Sequence, residues 1–153
     1  MRGSSRLAWR KAPVITRVNS FRSLLALSVA YCVASLVHFV HNAEFLALYP
    51  NMPAWLSRSR VYAAWFAITA IGALGLVAAR SRFALVGFVL LAIYAALGFD
   101  GLGHYALAPV SSHTLAMNLT IWFEVVAAAV LLAFTLRCVL RAGSQFGSRR
   151  AGA

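Results

Sequence analysis

Four apolar stretches, each near the length of a bilayer crossing, leave this chain few folds to choose from. They lie at about 24–46, 61–79, 83–99 and 114–136, and about 20 residues of helix cover a hydrocarbon core of ~30 Å. Inside lipid every backbone N–H and C=O must find a partner within the protein, which restricts a span to a helix or a strand of a closed barrel. The period-two alternation of barrel strands is missing. The sequence therefore predicts an all-α fold, a polytopic integral membrane four-helix bundle. Composition agrees, with 62% hydrophobic and 11% charged residues, against about a quarter charged in soluble domains. The 153 residues suit one transmembrane domain at 24–136, with basic tails at 1–23 and 137–153.

A net charge of +11 would suggest nucleic acid in a soluble protein. Here the basic residues flank the apolar runs, where they act as topology determinants. Arg2, Arg6, Arg10, Lys11, Arg17 and Arg22 precede the first span, Arg80 and Arg82 separate the second from the third, and Arg137, Arg141, Arg149 and Arg150 follow the fourth. The opposite loops carry only Arg58 and Arg60. Both termini are expected in the cytoplasm, with the protein in a bacterial inner membrane, an origin hinted at by Arg in place of Lys and abundant Ala and Gly. Membrane lipids are the expected partners and nucleic acid is not. Pro13 is expected to interrupt any helix in the first tail. Small residues at Ala26, Ala30, Ala34, Gly72, Gly75 and Ala79 recur at spacings that let helices approach closely, including in an oligomer. Cys32 and Cys138 lie at different depths, so no disulfide is expected.

The chemistry-bearing residues gather on one side. The acids are Glu44, Asp100 and Glu124, and the histidines His38, His41, His104 and His113; all seven fall toward the outer half of the predicted topology. Glu124 lies deepest, about ten residues or ~15 Å below the outer end of the fourth span, at 1.5 Å per residue. An ionisable group at that depth is costly, about 2.5–3.5 kcal/mol on insertion scales, and needs a compensating partner. His38, His41 or Asn118 could supply it. His38, His41 and Glu44 follow one another at intervals of three, within about 120° of one helix face, and Thr120 shares a face with Glu124. Asp100-Gly101-Leu102-Gly103-His104 reads as a Gly-rich turn closing the third span, with His104 and His113 in a solvated loop.

Two readings compete for this cluster. His41, Glu44, Asp100 and His104 could hold a divalent metal such as zinc or iron, since imidazole and carboxylate on facing helices are ordinary ligands. Alternatively Glu124 and His38 form an acid–base pair, with Asn118 and Thr120 lining the pocket, acting on an apolar small molecule that enters from the bilayer, or relaying protons for transport. Interhelical hydrogen bonding without chemistry is the plainest use of such residues.

The segment His41-Asn42-Ala43-Glu44, at the end of a first apolar helix, resembles small bacterial membrane proteins named for an HXXEE motif, with Phe45 where that motif has its second Glu. The resemblance carries His41 and Glu44 and implies no particular activity. The expected architecture also resembles the four-span sterol isomerase and sigma-2 receptor group, which holds acids inside a membrane cavity, a likeness of fold alone.

Overall fold

The computed structural model describes the backbone of residues 12–151 and the side chains of residues 21–142. Its helices are α1 (Ala12–Glu44), α2 (Arg58–Ala79), α3 (Ala84–Leu97), the short α4 (Gly103–Leu107) and α5 (Leu115–Ala151). No strand occurs among the described residues. Four segments are long and apolar enough to cross a membrane: Phe21–Glu44, Arg58–Ala79, Ala84–Leu107 and Leu115–Ala142. The fold is therefore the all-α bundle expected, with four membrane-length spans.

The ends of the spans differ from the sequence reading in three places. Pro13 does not interrupt α1 but sits in its first turn, where a proline removes an N–H that has no intrahelical partner anyway. The second tail is helical rather than irregular, α5 running on past the span to Ala151. The third span does not end near residue 99. It passes through a 3-10 turn at Asp100–Leu102 into α4, held by short-range bonds such as Leu102 N–H to Phe99 O at 3.0 Å. Pro109, with no N–H to give, follows the extended Ala108 and closes the span.

Each span packs on two neighbours: α1 lies against α2 and α5, and α3 against the same two, giving a closed four-sided bundle. Glycine sets the α2–α3 approach. A Cβ on Gly75 would lie 2.8 Å from Leu91 Cγ, and one on Gly72 2.7 Å from the Tyr94 ring. Without those side chains the two helices come close enough for dispersion contacts to hold them where lipid supplies no hydrophobic drive. The apolar core of Leu24, Tyr31, Leu91, Tyr94, Ala95, Ala128 and Leu131 fills the half nearer the arginine-bearing ends. Val29, Val33, Phe66, Leu74, Val77, Phe123 and Val126 face outward. Polar side chains turn inward instead, the arrangement a lipid surround selects.

Two contacts tie down the connections at the histidine-bearing end. The Ser57 hydroxyl caps α2 by accepting from Arg60 N–H. Asn51, in the left-handed region at φ 56 that Asn tolerates through its short polar side chain, donates its amide to Leu107 O at 2.8 Å. The loop after α1 is thereby tied to the end of the third span.

Candidate acid–base site

Helical spacing decides which polar residues of α1 face inward. Tyr31, Ser35, His38 and Asn42 recur at intervals of four, three and four, one stripe of an α-helix, and all are buried. On α5 the matching stripe is Met117, Ile121, Glu124, Ala128 and Leu131, also buried. Where the stripes meet, His38 and Glu124 face one another, with side chains only 3% and 2% exposed and His38 Nε2 3.7 Å from Glu124 Oε2. Of the three expected partners for Glu124, the structure selects His38.

The other imidazole nitrogen also looks at α5. His38 Nδ1 lies 3.4 Å from Thr120 Oγ1, one turn above Glu124. Thr120 donates its own hydroxyl proton to Met117 O at 3.0 Å, so toward His38 it can only accept. The hydrogen-bond pattern therefore assigns the proton of a neutral imidazole to Nδ1 and leaves the lone pair of Nε2 facing the carboxyl group. One further proton then has two seats, Oε2 and Nε2. Ser35 stands beside the Glu124 carboxyl and the Tyr31 phenol, and Glu124 Oε2, Ser35 Oγ and Tyr31 Oη are all buried without a hydrogen-bond partner. Such atoms are rare in folded proteins and mark places where strain or function is held.

Around the pair the other expected residues are placed as follows. His104 and His113 are not loop residues in solvent, being 7% and 6% exposed. The reason is the continuation of the third span, which carries His104 back over the bundle. Asn42 Nδ2 lies 3.3 Å from His104 Nε2, and the His104 ring is 5.4 Å from that of His38. His113 Nδ1 donates to Pro109 O at 3.1 Å. Asn118 does not reach the pair; it accepts from the Tyr105 hydroxyl at 2.8 Å and donates to Val110 O and His113 O, bracing the last connection.

The four residues considered for a metal do not converge. Glu44 is on the rim, bound to Arg58 Nη2 at 2.7 Å and accepting from the Tyr62 hydroxyl at 2.7 Å. His41 Nδ1 lies 2.9 Å from Tyr49 Oη, Asp100 is exposed, and His104 belongs with Asn42. Among the described residues no group of three or more His, Cys, Asp or Glu side chains could hold a metal ion. The stretch His38, His41, Glu44 is thus split by helix rotation: His38 points in and Glu44 out.

Sequence reasoning passed over Tyr31, Ser35, Asn42 as a buried partner, and Tyr49. The signal for the first three was their shared stripe with His38. Tyr49, in the connection after α1, is 3% exposed, and its ring centroid lies 4.8 Å from that of His104. Burial there pushes its phenol up to about 12, because the phenolate would lose its hydration.

Toward the arginine-bearing end the polar column stops. Ser28 gives its hydroxyl to Leu24 O at 2.8 Å, and Thr135 gives its own to Leu131 O and Leu132 O at 2.8 and 2.9 Å. Between them lies the apolar layer of Leu24, Leu91, Ala128 and Leu131. The buried histidines and Asn42 near the pair therefore lie toward the histidine-bearing end. Comparison with protein-family models, curated proteins and solved structures finds no match to this chain.

Proposed function

We propose that this protein is a multi-pass inner-membrane enzyme with both termini in the cytoplasm, using His38 and Glu124 as an acid–base pair on an apolar, lipid-like molecule. The observation that carries the reading is the face-to-face placement of Glu124 Oε2 and His38 Nε2 at 3.7 Å, buried together in the bundle. A carboxyl group and an imidazole at this separation can each hold the same proton, and catalytic contacts of this kind often tighten only when substrate is bound. The chemistry that fits is isomerisation. One carbon of the substrate gives a proton to the unprotonated member of the pair while the other member protonates a second carbon, and the double bond moves between them. No electron is gained or lost, and the pair ends with the same number of protons.

Two features favour this reading over transmembrane proton relay. A relay needs polar groups on both sides of the pair, whereas Ser28 and Thr135 spend their hydroxyls on their own helices and an apolar layer follows. Lipid-facing walls around the bundle also suit a substrate already dissolved in the membrane. The test is solvent-isotope uptake. Purified protein in vesicles made from the host's total lipid extract is incubated in D2O, and the lipids are analysed by mass spectrometry. Deuterium should appear at carbon in at least one lipid species with wild type and not with Glu124→Gln. No such uptake, or equal uptake by the variant, refutes the reading.

A further inference from the structure

Two polar routes lead from the acid–base pair toward the histidine-bearing end, and they differ in what they can carry. The first passes from His38 to the ring of His104, 5.4 Å away between centroids, and on to Asn42, whose Nδ2 stands 3.3 Å from His104 Nε2. An amide nitrogen is a donor with no lone pair to take a proton, so this route ends there. The second starts at the other imidazole nitrogen. His38 Nδ1 lies 3.4 Å from Thr120 Oγ1, the Thr120 hydroxyl stands beside the Tyr49 phenol, and Tyr49 Oη lies 2.9 Å from His41 Nδ1. Every member of this series is a hydroxyl or an imidazole, groups that both donate and accept. Tyr49 is buried, whereas His41, three residues short of the end of α1, is half-buried. The series draws on α1, the connection after it and α5, so the packing of the bundle brings its members together.

We propose that His41, Tyr49 and Thr120 form the conduit through which the His38–Glu124 pair exchanges protons with water at the histidine-bearing end. The inference deepens the acid–base reading above by naming how the pair is reloaded from solvent, and it rests on that reading for the use of the proton. Outward, a proton on Glu124 Oε2 passes to His38 Nε2 across 3.7 Å, and His38 Nδ1 gives its own proton to Thr120 Oγ1. Thr120 turns its hydroxyl from Met117 O, where it is held at 3.0 Å, to Tyr49 Oη. The phenol hands its proton to His41 Nδ1, and His41 sheds one from Nε2 to water. His38, Thr120, Tyr49 and His41 each end with as many protons as they began with, and one proton has moved from Glu124 to solvent. The inward path is the same series reversed. Separations of 3.4 and 3.7 Å exceed a formed N–H···O bond by about half an ångström or less, so small side-chain shifts close the line. A buried phenol resists becoming a phenolate, and Tyr49 avoids that state by receiving one proton as it gives up another.

The rate at which the His38 ring N–H exchanges with water tests the conduit without any lipid turnover. The full chain, labelled with 15N at histidine, is placed in lipid vesicles, and magnetisation transfer from water is followed by nuclear magnetic resonance, the His38 signal being identified by its loss in His38→Asn. Tyr49→Phe removes one oxygen and leaves the ring in place. It should slow the exchange by about a hundredfold, the lower end of what a positioned proton-transfer group contributes. Thr120→Val, of nearly the same shape, should slow it likewise, and either variant alone decides the question if the other does not fold. Tyr105→Phe is the control, because its hydroxyl bonds Asn118 Oδ1 at 2.8 Å and lies outside the series; it should exchange at the wild-type rate. Wild-type exchange in Tyr49→Phe or Thr120→Val overturns the conduit, and so does an equal slowing in Tyr105→Phe. Exchange that depends on Tyr49, together with no deuterium at lipid carbon, supports the conduit and refutes the acid–base enzyme. The opposite pair of results refutes the conduit alone.

Discussion

Glu124 is the residue around which the energetics turn. An acid near the middle of a span is expensive unless paired, and its neighbours supply an imidazole at 3.7 Å and a serine hydroxyl alongside. Removing His38 leaves that acid alone, so His38→Ala is expected to destabilise the protein by about 3 kcal/mol, the range for breaking a buried pair from one side. Reversible unfolding in mixed micelles measures it. Because the two side chains interact, His38→Ala and Glu124→Ala together should cost about 1 kcal/mol less than the sum of the singles.

Tyr49 gives a residue-scale prediction in pH. Its phenol is raised from the ordinary 10.0 to about 12, so the folded state holds a proton that the unfolded state releases earlier. Stability from this group is intact below pH 10 and falls as pH rises through the window to about 12, in the direction linkage requires. Ultraviolet titration of tyrosinate should show a phenol titrating near 12 that Tyr49→Phe removes, and the variant should lose less stability across that window than wild type.

At the scale of elements, the third span is the one that the sequence hides best. The four spans were legible because hydropathy over a window of about 20 residues is a local property. Which way each helix turns is not local. His38, His41 and Glu44 looked like one face, yet a further rotation makes 31, 35, 38 and 42 the buried stripe, and only the packing of α1 on α5 fixes it. Likewise Gly101 and Gly103 read as punctuation, which placed His104 in a loop. The chain instead crosses them in a 3-10 turn with ordinary φ values, and that turn covers the site. Thr120 and Glu124 belong to one helix, so their one-turn spacing is a local property that the sequence displays.

The glycine contacts make that element testable. Gly98→Ala forces a methyl group against Tyr31 Oη and Ala128 Cβ at 2.6 and 2.7 Å, and overpacking of this kind costs about 1–3 kcal/mol. Gly87, whose Cβ would run into the backbone of Ala79, faces rigid main chain rather than side chain, so Gly87→Ala should cost more than Gly98→Ala. Unfolding midpoints of the two variants rank them directly.

For the molecule as a whole, two asymmetries coincide. Arg22, Arg80, Arg82, Arg137 and Arg141 occupy one end of the bundle, while Glu44, Asp100, Glu124 and the histidines belong to the other half. In the proposed orientation, which follows the positive-inside rule, the arginine-bearing end is cytoplasmic and the histidine-bearing end faces the outer side. A reporter that is active only in the cytoplasm should work when fused after Ala153 and fail when inserted near Ser111. The reverse pattern contradicts the orientation without touching the site. The half of the bundle nearer the arginines is filled by apolar residues, and the buried His38, Asn42, His104, His113 and Glu124 belong to the other half.

The central claim is that His38 and Glu124 work as one unit, and a kinetic cycle tests it most directly. Deuterium uptake rates are measured for His38→Asn, Glu124→Gln and the double variant in the same vesicles. Residues that act together lose nearly everything when either is removed. The double variant should therefore be no slower than the slower single variant. If the two losses multiply instead, the residues act independently, and the acid–base pair is not the engine of this protein.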